Sequence, residues 1–315
     1  MTRLAFIFPG QGSQTVGMGK DLADAFPSAR GVFEEVDEAL GEKLSGLIWG
    51  GPEADLTLTA NTQPALMAVS LAVVRALEAE FGIKVTAASY VAGHSLGEYS
   101  ALAAAGSLSI ADAARLLRKR GEAMQAAVPV GEGAMAALIG KVDVATAEDI
   151  AAAGASAGAV GVANDNNVGN VVISGSKAGV DAAIAHAKTK GVRAIPLSVS
   201  APFHSVLMQP AAEAMAAALA GASVLAPAVP VVANVTARPV DDPAEIKTLL
   251  VEQVTGRVRW RECVDWMATE GGITRFVETG AGKQLSGMVK RIAPGVDTVA
   301  LNAPADLEAF AASLK

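Results

Sequence analysis

Ser95 lies between two glycines in GHSLGEYSAL (93–102), directly after the apolar run AASYVA. The pattern Gly93-x-Ser95-x-Gly97, between a short apolar strand and a helix, has the form of a nucleophile elbow. Small flanking residues permit a sharp, strained turn that exposes the serine hydroxyl. The N-terminus of the following helix would then face an oxyanion developing there. A plain glycine-rich turn is the competing reading.

A serine hydroxyl is a weak nucleophile at neutral pH and needs a base, most often histidine. The chain has three. His94 adjoins the serine, where neighbouring side chains diverge, which suits a structural role. His186, in DAAIAHAKTK, falls off the apolar stripe of its helix and reads as solvated. His204, in SVSAPFHSVLM, follows a predicted strand and Pro202 at a loop-to-helix transition. Elimination selects His204 as general base and later general acid. A helix N-terminus at that place would favour its neutral form. No acidic residue presents itself as a third member.

A second chemical feature is a cation on an apolar face. In the helix opened by the Ser109/Asp112 capping box, Ala113, Leu116, Leu117 and Met124 make one stripe. Arg120 falls within it, whereas Arg115, Arg118 and Lys119 point elsewhere. A buried guanidinium must find an anion or several acceptors. Two readings stay open: an internal salt bridge, or a pocket that grips a substrate carboxylate bidentately.

The elements that must position these groups follow from pattern. LAFIF (4–8) is a first strand running into the loop PGQGSQ, and 61–82 has helical periodicity closed by Gly82. YVAG (90–93) is a buried strand. Between 133 and 199 the order is β-α-β-β-α-β, the ferredoxin-like arrangement, a unit able to bury its own core. It predicts a small domain (129–199) inserted into a larger α/β domain (1–128 and 200–315). Residues 214–237 carry no charge, but Gly221, Pro227 and Pro230 interrupt them, which favours helix, loop and strand over a membrane span.

Composition narrows the function. The 315 residues are 51% hydrophobic and only 4% aromatic, with net charge −7. That balance argues against a nucleic-acid surface. The single cysteine, Cys263, excludes an internal disulfide and any cysteine metal cluster. Gly10-x-Gly12 lacks the third glycine of a dinucleotide fingerprint, with Thr15 in its place. TGAGKQ (279–284) lacks the first glycine and the Ser/Thr of a phosphate loop, so both read as turns.

Taken together, FPGQGSQ (8–14), TQPAL (62–66), GHSLGEYSAL, the RG pair at 120–121, the histidine of SAPFH and VEQV resemble malonyl-CoA:acyl carrier protein transacylases of bacterial fatty acid synthesis. The resemblance implies an α/β-hydrolase-like large domain with an inserted ferredoxin-like small domain. It implies Ser95 as nucleophile, His204 as base, and the main-chain carbonyl of Gln253 in place of a third acid. Backbone amides of Gln11 and Leu96 would form the oxyanion hole, and Arg120 would hold the malonyl carboxylate. Phe203 would leave little room for a 2-methyl group.

The same resemblance implies malonyl-CoA and a phosphopantetheinyl acyl carrier protein as substrates, no metal or redox cofactor, and a cytoplasmic setting. The carrier protein in such systems is acidic, so Lys188, Lys190, Arg193, Lys290 and Arg291 are candidate docking cations. Three alternatives share part of the pattern. They are a serine esterase or thioesterase, a relative loading another acyl group, and a non-catalytic carrier-binding protein.

Overall fold

The computed structural model describes residues 2–314. Its first strand, β1 (Leu4–Phe8), is buried throughout. Leu4, Phe6 and Phe8 enter one apolar cluster with the helix Thr59–Phe81, while Ala5 and Ile7 enter another with Trp260 and Met267. Burial on both faces is what a parallel strand covered by helices requires.

The further strands are β2 (Ala88–Gly93), β3 (Gly133–Ile139), β4 (Val160–Asn167), β5 (Asn170–Ser176), β6 (Arg193–Pro196), β7 (Val231–Val232), β8 (Pro239–Val240), β9 (Arg275–Thr279) and β10 (Asp297–Leu301). Six form one sheet in the order β10-β9-β1-β2-β7-β8, parallel except for the β7–β8 pair. The other four form an antiparallel sheet in the order β4-β5-β3-β6. One face of this second sheet packs with the helices Val144–Gly154 and Lys177–Thr189 around Leu138, Ile150, Ile173 and Ala183. From its other face, Met135 and Val172 join the main core.

The segment leading into the helix Trp260–Thr269 is stitched to β4. The Asp165 amide donates to the Val258 carbonyl at 2.9 Å, and the Val258 amide to the Ala163 carbonyl at 2.8 Å. Arg261 clamps the buried Asp165 carboxylate through Nε at 2.9 and 3.1 Å. The last strand of the β-α-β-β-α-β order, β6, covers only Arg193–Pro196 of the run VRAIPLSV (192–199). Pairing ends with the Leu197 amide on the Met135 carbonyl, after which Ser198 and Val199 turn into a cavity between the sheets.

The uncharged segment 214–237 is the end of the helix Gln209–Gly221, a loop and β7. No helix among the described residues is long and apolar enough to cross a membrane. TGAGKQ is a turn in which the Glu278 carboxylate accepts from the Leu285 and Ser286 amides at 3.0 and 2.7 Å. The helix N-terminus there is capped by the chain's own carboxylate.

The turn carrying Ser95 leaves β2 at the C-terminal edge of the parallel sheet, where crossovers open a crevice. Its tightness depends on both glycines. A Cβ on Gly93 would lie 1.9 Å from the Gly97 carbonyl, and one on Gly97 would lie 2.3 Å from the Phe8 oxygen. Gly97→Ala is therefore expected to lower stability by about 3 kcal/mol or more in urea unfolding. Gly31→Ala, on an exposed helix face with open space around it, should raise stability by about 0.5–1 kcal/mol.

Candidate active site

Ser95 and His204 are two of only three non-glycine residues with left-handed backbone among the described residues, at φ 54 and 55. Such conformations cost on the order of 1–3 kcal/mol each and persist where the surroundings over-determine them. Around Ser95 they do. Its amide donates to Asn234 Oδ1 at 2.8 Å, and its carbonyl accepts from Gln253 Nε2 at 3.0 Å. Asn234 Nδ2 also donates to the Gly93 carbonyl at 2.7 Å.

Ser95 Oγ stands 2.7 Å from His204 Nε2. His204 Nδ1 faces the carbonyls of Gln253 and Gly256 at 2.9 and 3.1 Å. Carbonyls only accept, so the proton sits on Nδ1 and Nε2 is left to accept from the serine hydroxyl. Burial, then the Arg120 charge, pull the His204 pKa down to about 3. The residue after it opens only a three-residue 3-10 turn, Val206–Met208. Desolvation and Arg120, rather than the helix terminus anticipated from the sequence, keep the imidazole neutral.

Arg120 is 2% exposed and lies on the predicted stripe of the helix Ile110–Ala126, whose N-terminus is capped by Ser109. Nη1 donates to Gln63 Oε1 at 2.8 Å, and Nη2 to Gln253 Oε1 at 2.9 Å and Ser95 Oγ at 3.2 Å. Its Cζ lies 5.8 Å from the Tyr99 ring centroid, and Nε has no partner. It forms no ion pair among the described residues, so the internal salt bridge is not the arrangement found. Burial draws its pKa below the usual value, while Tyr99 and Glu98 oppose that shift.

These groups open onto one cavity of about 330 Å³, lined also by Gln11, Leu96, Phe203, Asn164 and Asn166. The amides of Gln11 and Leu96 are engaged by no other protein group among the described residues. His94 lines the same cavity and bonds Asn166 Oδ1 at 2.9 Å. His186 is partly exposed, 3.9 Å from Asp149. Lys188, Lys190, Arg193, Lys290 and Arg291 are all exposed outside the cavity lining, and Lys190 is paired with Asp149.

Sequence reasoning missed Gln63, Glu98, Asn164, Asn166 and Asn234. Gln63 and Glu98 stood inside quoted motifs, and a polar residue in the apolar helix Thr59–Phe81 was a usable signal. The Asn234 contacts span 136 to 141 residues of chain. Glu98 is buried, and its Oε2 accepts from the Asn234 amide at 3.0 Å and Gln253 Nε2 at 2.8 Å. Burial raises its pKa to about 7, against those two hydrogen bonds and the Arg120 charge.

A family model described as acyl transferase domain matches residues 5–294. The class is therefore that of acyltransferase enzymes. The chain is 46% identical to the malonyl CoA-acyl carrier protein transacylase of Bacillus subtilis (strain 168), across 100% of this chain and 98% of the relative. The acyl-carrier-protein-S-malonyltransferase structure from Bartonella henselae superposes with TM-score 0.96 at 53% identity, covering 99% of both chains. A malonyl-transacylase solved in complex with a type II PKS acyl-carrier protein gives TM-score 0.95 at 42% identity, covering 99% of this chain and 100% of that one. The chain belongs to the malonyl CoA-acyl carrier protein transacylase family.

Two pH dependences follow. With His204 near 3, phosphonylation of Ser95 by a serine-directed reagent should keep its pH 7 rate within about twofold down to pH 5. A fall centred near pH 6.5 would contradict the assignment. Glu98 is raised from 4.5 to about 7, so its contribution to stability is complete below 4.5 and is lost as pH rises through 7. The stability difference between wild type and Glu98→Gln should accordingly shift by up to about 3 kcal/mol between pH 4.5 and 8, in the direction that disfavours wild type at pH 8.

Proposed function

We propose that the chain transfers a malonyl group from malonyl-CoA to the phosphopantetheine thiol of an acyl carrier protein, through an ester on Ser95. The observation carrying this reading is the position of Ser95 Oγ, 2.7 Å from a neutral histidine nitrogen and 3.2 Å from a buried guanidinium lacking an ion-pair partner. His204 Nε2 takes the hydroxyl proton as Oγ attacks the thioester carbonyl. The oxyanion gathers the amides of Gln11 and Leu96, and collapse expels the coenzyme A thiolate, which takes the proton back from His204. In the second half, His204 deprotonates the carrier thiol. The thiolate attacks the ester, and the proton returns to Ser95.

Two oriented carbonyls serve His204 where a carboxylate would serve a hydrolase triad. The Gln253 carbonyl fixes the tautomer without adding a negative charge beside the substrate. Arg120 meets the malonyl carboxylate, and Phe203 bounds the space at its α-carbon. No metal or redox cofactor enters these steps. The acidic carrier would dock on exposed cations. Lys188, Arg193, Lys290 and Arg291 form no ion pair among the described residues, whereas Lys190 would have to leave Asp149.

We read the architecture as an α/β-hydrolase-like large domain (1–128 and 200–315) with a ferredoxin-like insertion (129–199). The relatives' names and the carrier complex of one of them support malonyl transfer. The cytoplasmic supply of malonyl groups for fatty acid synthesis is the corresponding role. The test is formation of malonyl-carrier by wild type, Ser95→Ala and Arg120→Ala. Ser95→Ala should be inactive, and Arg120→Ala should lose about 100-fold or more in kcat/KM for malonyl-CoA while keeping or gaining acetyl transfer. Equal loss for both donors by a folded Arg120→Ala variant would contradict the carboxylate clamp.

A further inference from the structure

We infer that Glu98 is a positioning residue: its buried carboxylate fixes the side-chain amide of Gln253 and the backbone of Asn234, and through them the Arg120 guanidinium and the Ser95 turn. Glu98 is outside the cavity lining, so it acts only through other groups. An ionised carboxylate can only accept. By accepting from Gln253 Nε2 at 2.8 Å it holds that amide with its nitrogen toward Ser95 O and its oxygen toward Arg120 Nη2. A flipped Gln253 would aim NH2 at a guanidinium and break both contacts. By accepting from the Asn234 amide at 3.0 Å it also sets the residue whose side chain bonds the Ser95 amide and the Gly93 carbonyl.

One carboxylate oxygen thus sits behind both ends of the strained serine residue and behind the cation. After the Tyr99 ring, its charge also favours the charged form of Arg120. That charge offsets part of the cost of burying the guanidinium without an ion pair.

The kinetic arm of the test rests on the malonyl transfer proposed above; a second arm does not. At pH 8, hydrogen exchange of the Gln253 side-chain amide is followed by NMR in wild type, Glu98→Gln and Glu98→Ala. Malonyl against acetyl loading of Ser95 is measured on the same samples. A glutamine oxygen can accept both bonds, so Glu98→Gln should retain slow exchange and the loading preference. Glu98→Ala should exchange about 10-fold faster or more and lose the preference by a similar factor.

Unchanged protection and preference in folded Glu98→Ala would overturn the inference. So would a Glu98→Gln variant as impaired as Glu98→Ala. Should Glu98→Ala fail to fold, Glu98→Asp, which withdraws the acceptor by one methylene, must show the same acceleration. A protected Gln253 in that variant refutes the role. If wild type loads no malonyl group, the functional reading falls, and the exchange arm alone decides the positioning claim.

Discussion

Burial of the Arg120 guanidinium without a paired carboxylate is the constraint around which the site is organised. A charge withdrawn from water costs several kcal/mol unless acceptors surround it. Here the acceptors are the amide oxygens of Gln63 and Gln253 and the hydroxyl of Ser95, with the Tyr99 ring beside them. The cation can approach them because Gly121 lets its helix close on the neighbouring one. A Cβ there would lie 2.5 Å from Ala60 Cα. The same charge helps hold His204 neutral. One buried cation therefore stands 3.2 Å from Ser95 Oγ and favours the free-base form of the histidine.

The strain at Ser95 is sustained by position in the fold. The C-terminal ends of β1 and β2 bring the PGQGSQ loop and the serine turn together, and His94 N bonds the Phe8 carbonyl at 3.0 Å. Asn234, just beyond β7, and Gln253, from the helix Pro243–Thr255, then grip the serine backbone from either side. Gln253 also presents its carbonyl to His204. A single residue thereby ties Ser95, His204 and Arg120 together, so displacing it would disturb all three.

Much of this was legible in the sequence because it is local. Helical periodicity alone placed Arg120 on a buried face, and the glycine spacing around Ser95 marked a turn too tight for side chains. The β-α-β-β-α-β order of 133–199 was read directly, since each element has its own pattern. What periodicity could not do was choose between a salt bridge and an open acceptor set for Arg120, because its partners lie 25, 57 and 133 residues away. The partner of His94 is also distant, Asn166 of β4 lying 72 residues along the chain, and no local pattern announces it. The anchoring of Glu98 needs tertiary contacts and has no periodic signature.

The most direct measurement is the intact mass of the protein after brief mixing with malonyl-, methylmalonyl- and acetyl-CoA in competition, with Ser95→Ala as control. The account predicts a malonyl adduct that dominates the other two and disappears with Ser95. Release of free malonate without an adduct, or an adduct that survives in Ser95→Ala, would contradict it.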